Sequence, residues 1–379
     1  MKRAYLDNAG TTAIHPEVIA EMARVMADIY GNPSSTHSFG RSAKVVLETS
    51  RKTIAALLNA EAREIIFTSG GTEANNFILR SAVKDLGVKR IISSRVEHHS
   101  VLTTLPQLAA EFGIKIDYIN LTQGGFPDYR HLRQLLDEGI PTLVSLMYVN
   151  NETGVMADIE RIGNMCREYN AYFHTDTVQA VGKTELDLKN LPVDFIVASA
   201  HKFHGPKGVG FAYIRKNIAV QPMIYGGEQE KGLRAGTEAI HQIAGMAKAL
   251  ELSYKNLNEE REHITGLKNY LFEQLDMHFA GYKVNGLNAQ PSTQLFYNIT
   301  NILLPFGEDK TAMILFHLDM LGVAVSRGSA CQSGSVRPSH VLEQILPAED
   351  IKKPSLRISF SHFNTREDID LFIDALGKI

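Results

Sequence analysis

The chain has 379 residues, of which 44% are hydrophobic, so it can bury a large core and two domains are expected. Its formal net charge of −3, without a basic run, argues against nucleic acid as a ligand, and no apolar stretch reaches the length of a membrane span. Two cysteines cannot form a disulfide framework, so the composition predicts a cytoplasmic protein that binds neither nucleic acid nor membrane.

The first segment with a chemical signal runs from Glu64 to Leu79. An apolar strand pattern passes through Gly70 and Gly71 into a helical pattern. Glycines let the backbone approach an anion closely, and a helix start offers free N–H groups and the positive end of the helix dipole. The segment lacks both the dinucleotide-binding and the Walker glycine patterns. It is therefore either a phosphate-binding turn or an ordinary strand-to-helix connection.

Two later strand patterns end in charged residues. The run 171–175 leads to Asp176 and Gln179, and the run 195–198 leads to Lys202 and a glycine-rich turn. Open α/β sheets bind ligands at the carboxyl ends of their strands, so both side chains are expected to face one ligand. Pyridoxal phosphate requires this pair, an amine for its aldehyde and an anion beside its ring nitrogen. Each residue alone also fits a solvated strand end or a helix cap.

The predicted elements divide into two groups. Short apolar strands alternate with helical patterns from about residue 60 to 250, which predicts an α/β domain with a mostly parallel sheet. A charged helical stretch from Glu251 to Leu275 leads out of this domain. Beyond it, strand patterns at 295–299 and 356–360 predict a smaller α+β domain.

The two cysteines lie in contrasting contexts. Cys166 stands in a helix-like segment, which predicts a small buried hydrophobic residue. Cys331 stands among serines and glycines in the segment 326–340, without apolar periodicity, which predicts a loop that exposes the thiol. An exposed thiol in a reducing cytosol indicates either nucleophilic chemistry or redox sensing.

In chain order the motifs read Gly-Gly-Thr-Glu, Asp-x-x-Gln, His-Lys and Gly-Ser-Ala-Cys. In that order the chain resembles the cysteine desulfurases, which are pyridoxal-phosphate-dependent enzymes of fold type I in the class-V aminotransferase group. The resemblance covers nearly the whole chain, from 5–12 through 31–35 to 355–359. The loop Gly-Ser-Ala-Cys-x-Ser-Gly-Ser, followed by Pro-Ser-His-Val-Leu, is similar to that of the NifS/IscS-like group.

The resemblance implies a set of cofactor-binding residues. Lys202 would form the Schiff base, Asp176 would partner the pyridinium nitrogen, and Gln179 would contact the ring hydroxyl. His98 would stack on the ring and assist proton transfer. The implied phosphate ligands are Gly71, Thr72, Ser199 and His201.

The resemblance also implies substrate-binding residues and partners. Asn151 and Arg357 would hold the carboxylate of the amino acid, and Cys331 would accept its sulfur. Thr237 would reach the phosphate of the partner subunit, which implies a homodimer. The implied domains are a large cofactor-binding domain, 16–255, and a small domain, 1–15 and 256–379, that carries the cysteine loop.

The implied activity is the conversion of L-cysteine into L-alanine with formation of a persulfide on Cys331. The sulfur would pass to an acceptor protein, such as an iron–sulfur cluster scaffold. Two alternatives remain open: a selenocysteine lyase or other β-eliminating lyase of the same fold, and a redox-sensing nucleotide-binding module. Without Cys-x-x-Cys or His-Glu-x-x-His, the sequence predicts no metal site.

Overall fold

The computed structural model describes residues 2–286, 295–328 and 339–379. In chain order, its strands are β1 (Ala4–Tyr5), β2 (Ile65–Thr68), β3 (Arg90–Ser93), β4 (Lys115–Tyr118), β5 (Thr142–Ser145), β6 (Tyr172–Asp176), β7 (Phe195–Ser199), β8 (Gly210–Ile214), β9 (Lys283–Val284), β10 (Ile299–Leu303), β11 (Val323–Ala324) and β12 (Ser355–Ser359). Its α-helices are α1 (Pro16–Asp28), α2 (Ser38–Leu57), α3 (Gly71–Asp85), α4 (His99–Leu102), α5 (Thr104–Phe112), α6 (Tyr129–Leu136), α7 (Ile159–Glu168), α8 (Ile240–Lys255), α9 (Leu257–His278), α10 (Ile314–Met320), α11 (Leu342–Ile345) and α12 (Arg366–Leu376).

Seven strands of the described chain form one sheet in the order β2-β8-β7-β6-β5-β3-β4. The pairs from β7 to β4 are parallel, whereas β8 is antiparallel to both β7 and β2. Successive residues of a strand enter different cores: Phe195 and Val197 pack with α3 and α5, while Ile196 and Ala198 pack with α2 and α8. Helices therefore cover both faces of the sheet, and the predicted α/β class with a mostly parallel sheet is confirmed.

The strand directions bring six connections to one edge of this sheet. Strands β3, β4, β5, β6 and β7 run in parallel, and β2 has the same direction because β2 and β7 are both antiparallel to β8. Their carboxyl ends therefore open at the same edge, which is where open α/β sheets bind ligands.

The remaining strands build a second set of small sheets. β10 pairs antiparallel with β9 and β12, and β1 pairs in parallel with β11. A separate core joins β1, β12 and the helices α9 and α12. The strand predicted at 295–299 was wrong in position, since the regular strand begins only at Ile299, whereas the one predicted at 356–360 corresponds to β12.

The charged stretch predicted as one helix belongs to two. α8 ends at Lys255, and α9 begins two residues later with Leu257 and continues to His278. The charged residues lie mostly on the solvent side of α9, while Ile264 and Leu271 are buried. No helix in the described part of the chain is long and apolar enough to cross a membrane.

Candidate active site

The carboxyl edge of the large sheet surrounds a cavity of about 490 Å³. Most of the residues singled out from the sequence line it: Gly71, Thr72, His98, Asn151, Asp176, Gln179, Ser199, His201, Lys202 and Arg357. Thr237 is exposed and does not line the cavity of its own chain. Cys331 lies outside the described residues.

A glycine turn forms one end of the cavity. Gly70 has φ 149°, a backbone conformation that favours glycine, and α3 starts at the next residue without a side-chain cap. A β-carbon on Gly71 would lie 2.8 Å from Cγ2 of Val178, so a larger residue would displace the neighbouring chain. The first N–H groups of a helix have no intrahelical acceptor. This end of the cavity therefore has the geometry and partial charge that suit an anion.

His201 lies beside this turn, just beyond the end of β7. Its Nδ1 lies 3.1 Å from Oγ1 of Thr11. Burial, together with the positive charges of Lys202, Lys207 and Lys183, lowers the pKa of His201 to about 4. The imidazole is therefore neutral near pH 7 and can offer a single N–H to an anion.

Asp176 is the last residue of β6 and is held by two donors. Its Oδ2 accepts a hydrogen bond from Nδ2 of Asn75 at 2.8 Å, and its Oδ1 accepts one from the backbone N–H of Val178 at 3.0 Å. Asn75 was not identified from the sequence. It follows Gly71 by four residues on α3, and this helical spacing puts both on the face that meets the cavity. The carboxylate is thereby fixed in orientation.

His98 faces the cavity from the N-terminus of α4. Its Nδ1 accepts a hydrogen bond from the backbone N–H of Ser100 at 3.1 Å and lies 2.8 Å from Oγ of the same residue. Burial lowers the pKa of His98, although the charge of Asp176 opposes this effect. Because Nδ1 accepts, the neutral ring carries its proton on Nε2. Nε2 is then the nitrogen available for proton exchange.

Lys202 ends a short 3₁₀ helix that follows β7. Its Nζ donates hydrogen bonds to the carbonyl oxygens of Ala9 at 2.6 Å and Gly10 at 2.7 Å. The N-terminal segment therefore holds the amine at the cavity wall. The sequence motif at 5–12 was recognised, but its contact with Lys202 joins residues about 190 positions apart and has no local signal.

Arg357 lies on β12 and is 1% exposed. Its Nη2 donates to Oδ1 of Asp7 at 2.6 Å, and its Nη1 donates to the carbonyl oxygen of Asn151 at 2.9 Å. Nε has no partner among the described residues. The guanidinium thus lines the cavity with part of its hydrogen-bonding capacity unused. Asp7 was not identified from the sequence as a site residue.

The turn that carries Asn151 also contacts both flanks of the undescribed segment 329–338. Glu152 is fully buried, and its Oε2 accepts a hydrogen bond from Oγ of Ser339. On the other flank, a β-carbon on Gly328 would lie 3.3 Å from the same oxygen. The two residues that border the segment carrying Cys331 therefore lie next to the cavity wall.

Cys166 has a different environment, as its helical context predicted. It lies on α7 and is 1% exposed. Burial raises the pKa of its thiol, with a further contribution from Asp194. Because only a thiolate is strongly nucleophilic, Cys166 is a packing residue without reactivity.

Comparison with known proteins identifies the family of the chain. The family model described as aminotransferase class-V matches residues 4–372. The cysteine desulfurase IscS of Dictyoglomus turgidum is 40% identical over 382 residues, which cover 100% of this chain and 95% of the relative. The X-ray structure of a NifS-like protein from Rickettsia africae has a TM-score of 0.87 and 35% identity, covering 100% of this chain and 99% of that one.

A solved structure of SspA in complex with cysteine has a TM-score of 0.80 and 29% identity, covering 96% of this chain and all of that one. The sequence and structural matches both extend over nearly the full chain, so they include the cavity and all the elements around it. The chain belongs to the aminotransferase class-V family and, within it, to the cysteine desulfurases.

Proposed function

We propose that the protein converts L-cysteine into L-alanine with the help of pyridoxal 5′-phosphate and transfers the sulfur to Cys331. The observation that carries this proposal is the presence of Lys202, Asp176 and the glycine turn around one cavity. Relatives named cysteine desulfurase and a structural neighbour in complex with cysteine support the substrate.

The residues of the cavity fit pyridoxal 5′-phosphate. Its volume of about 490 Å³ is in the range of small-molecule sites. Lys202 supplies the amine for the aldehyde, Asp176 the anion for the ring nitrogen, and Gln179 an amide for the ring hydroxyl. When bound, pyridoxal phosphate supplies an electron sink for the carbon atoms of the substrate. The phosphate would be held by Gly71, Thr72, Ser199 and His201.

Arg357 and Asn151 would bind the carboxylate of the substrate. Arg357 lines the cavity, and a guanidinium can form a bidentate pair with a carboxylate. Asp7 contacts one Nη of Arg357 and restricts its rotation. The substrate would therefore enter with its carboxylate toward β12.

Lys202 and His98 would move protons on the substrate. The amine of Lys202, when uncharged, can take up a proton from the substrate. In the neutral ring of His98, Nε2 carries the proton, so it can donate a proton on the same side of the cavity.

Cys331 would remove the sulfur. Its thiolate attacks the sulfur of the bound cysteine, so an S–S bond forms while the bond between sulfur and the β-carbon breaks. The electron pair of the broken bond goes to the carbon, which takes up a proton to give alanine. The contacts of Glu152 with Ser339 and Gly328 support access of this segment to the cavity. An acceptor protein, such as an iron–sulfur cluster scaffold, would then receive the persulfide sulfur.

The active unit would be a homodimer with shared sites. Thr237 is exposed and outside its own cavity, which suits a residue that reaches the phosphate of the partner subunit. Each subunit would divide into a large domain, 16–255, and a small domain, 1–15 and 256–379. The separate core around β1, β12, α9 and α12 supports this division.

The sulfur-transfer step is tested by Cys331→Ser. This variant is expected to bind cofactor and cysteine but to form no protein persulfide, measured by mass spectrometry, and no alanine at physiological thiol concentration. Cys166→Ser is the matched control and is expected to keep full turnover, because Cys166 is buried. Undiminished turnover of cysteine by Cys331→Ser would contradict the proposal, and turnover of selenocysteine alone would indicate a selenocysteine lyase.

The cofactor and the shared site are tested by Lys202→Ala. This variant is expected to lose the borohydride-fixed pyridoxyl adduct, whereas Lys189→Ala, at an exposed lysine, keeps it. Mixing Lys202→Ala with Thr237→Ala subunits should restore activity beyond the sum of the parents, because one site of each mixed dimer carries no lesion. A strictly additive mixture would refute the shared site.

A further inference from the structure

Lys183 is a buried lysine to which the reaction above gives no role. It follows Gln179 by four residues in a run of turns that continues from β6, and it is 7% exposed. Burying an ammonium group costs free energy unless it is paired. Yet no carboxylate in the described part of the chain forms an ion pair with Lys183, and the hydrogen bond of its ammonium group there goes to Gln179.

The contact with Gln179 fixes the orientation of that amide. Nζ of Lys183 donates to Oε1 of Gln179 at 3.3 Å, and Nε2 of Gln179 donates to the carbonyl oxygen of Ala9 at 3.0 Å. An ammonium group can only donate and a carbonyl can only accept, so the amide has one allowed orientation between them. The same carbonyl of Ala9 accepts from Nζ of Lys202 at 2.6 Å. One continuous set of hydrogen bonds therefore joins Lys183 to Lys202.

The charges of the two lysines oppose each other. Burial, with a contribution from the charge of Lys202, lowers the pKa of Lys183 to about 7. Electrostatic repulsion acts equally on both partners, so a proton on Lys183 disfavours a proton on Lys202.

The other groups around the pair carry both signs of charge. The titratable and charged residues that line the cavity of Lys202 are Glu73, His98, Asp176, His201, Lys207 and Arg357. Lys183 also lines a small cavity with His204, Glu260 and Tyr297. Burial and nearby positive groups lower the pKa of His201 and His204, so neither adds a positive charge near pH 7.

We propose that Lys183 is a positioning residue that orients the amide of Gln179 and, by its charge, favours the uncharged and nucleophilic amine of Lys202. Only an uncharged amine can attack an aldehyde or accept a proton from the substrate. The inference rests on the proposed function for its meaning in catalysis, but the coupling itself is a property of the chain alone.

The test measures the reactivity of Lys202 in the full-length chain without pyridoxal phosphate. Acetic anhydride is applied across a range of pH, and acylation at Lys202 is followed by mass spectrometry with the exposed Lys189 as internal reference. Three variants are compared: Lys183→Met removes charge and hydrogen bond, Lys183→Gln keeps a donor without charge, and Lys183→Arg keeps both.

We expect acylation of Lys202 at pH 6, where Lys183 with its pKa of about 7 is mostly protonated, to slow by roughly threefold to tenfold in Lys183→Met and Lys183→Gln, and the profiles to converge above about pH 8. Lys183→Arg should restore the profile toward that of the unaltered chain. The glutamine variant carries the test if the methionine variant fails to fold. An unchanged profile in Lys183→Gln, or an equal change in Lys183→Arg, would overturn the proposal.

Lys268 provides a matched control. It is a second buried lysine whose pKa burial lowers to about 8, but it donates to the carbonyl oxygens of Phe296 and Ile299 and its pKa shift has no contribution from Lys202. Lys268→Met is expected to lower the melting temperature and leave acylation of Lys202 unchanged; a similar slowing there would also overturn the proposal. Failure of the unaltered chain to bind pyridoxal phosphate would instead refute the proposed function.

Discussion

Arg51 and Arg357 are each 1% exposed, yet they occupy opposite kinds of environment. Both terminal nitrogens of Arg51 donate to Glu230 at 2.7 Å, and Nη1 also donates to the carbonyl oxygen of Ile65. Arg357 contacts a single oxygen of Asp7 and one carbonyl oxygen, and its Nε has no partner among the described residues. The two side chains are equally buried, but only in Arg51 do all three guanidinium nitrogens have hydrogen-bond partners in the described part of the chain.

This difference separates a structural arginine from one that is able to bind a ligand. Glu230, the partner of Arg51, also accepts from the backbone N–H of Phe67, so the pair ties α2 and β2 to the segment around 230. Glu230 and Lys231 adopt left-handed backbone conformations, with φ 48° and 58°, that this pairing helps to hold. Arg357 lines the cavity, so its guanidinium is in reach of a carboxylate bound there.

Replacing Arg51 should have the largest effect, a loss of folding stability. Arg51→Met leaves the buried Glu230 uncompensated, and we expect the free energy of unfolding in urea to fall by about 3–5 kcal/mol. The cysteine affinity of the folded protein should not change. Arg24→Met is the control, because its pair with Glu21 is exposed, and it should stay within about 0.5 kcal/mol. An unchanged free energy of unfolding in Arg51→Met would contradict the assignment of Arg51 as a structural arginine.

Replacing Arg357 should affect the binding of cysteine instead. Arg357→Met is expected to weaken cysteine binding by about 1.5–3 kcal/mol, or roughly tenfold to a hundredfold, with cofactor content unchanged. Arg357→Lys should recover only part of this loss, because an ammonium group lacks the planar fork of donors. Binding is measured by titrating holoenzyme that carries Cys331→Ser. Unchanged affinity in Arg357→Met would contradict its assignment.

His174 extends the comparison to a buried base under the site. It is fully buried on β6, its Nδ1 lies 2.9 Å from Oγ of Ser145, and its Nε2 has no partner among the described residues. Burial lowers its pKa from 6.5 to about 4, with the charge of Asp176 opposing. The unfolded chain therefore binds a proton below about pH 6.5 that the folded chain rejects until about pH 4, so stability falls as pH drops through this range.

His174→Asn should remove about 2 kcal/mol of the stability lost between pH 7 and pH 5, measured by urea unfolding at both values. The control is His278→Asn, because His278 is exposed and its replacement should leave the pH dependence unchanged. An identical pH dependence in His174→Asn and the unaltered chain would show that this histidine does not contribute.

The smallest effect is expected at Asp7. Asp7→Asn keeps the shape of the side chain but removes the negative charge that competes for Arg357. The variant should therefore bind cysteine no more weakly than the unaltered protein, in contrast to Arg357→Met. A tenfold loss of cysteine affinity would mean that Asp7 orients Arg357 more than it competes with the substrate.

The sequence alone was sufficient for the residues at strand ends. Asp176 and Lys202 follow apolar runs, and Gly71 stands between a strand and a helix, so local pattern and the known binding edge of α/β sheets predicted where they lie. The resemblance added His98, Asn151 and the remaining cavity residues. The α/β class followed from the alternation of short apolar runs with helical patterns.

The tertiary structure alone decided the contacts that set the chemistry of these residues. Asp7 contacts Arg357 across 350 positions of sequence, and Ala9 contacts Lys202 across 193 positions and Gln179 across 170. No local period or spacing encodes such pairs, because they arise only when β12 and the N-terminal segment close over the sheet edge. The orientation of Gln179 and the protonation of Lys183 depend on the same long-range packing, since hydrogen-bond partners and burial decide both.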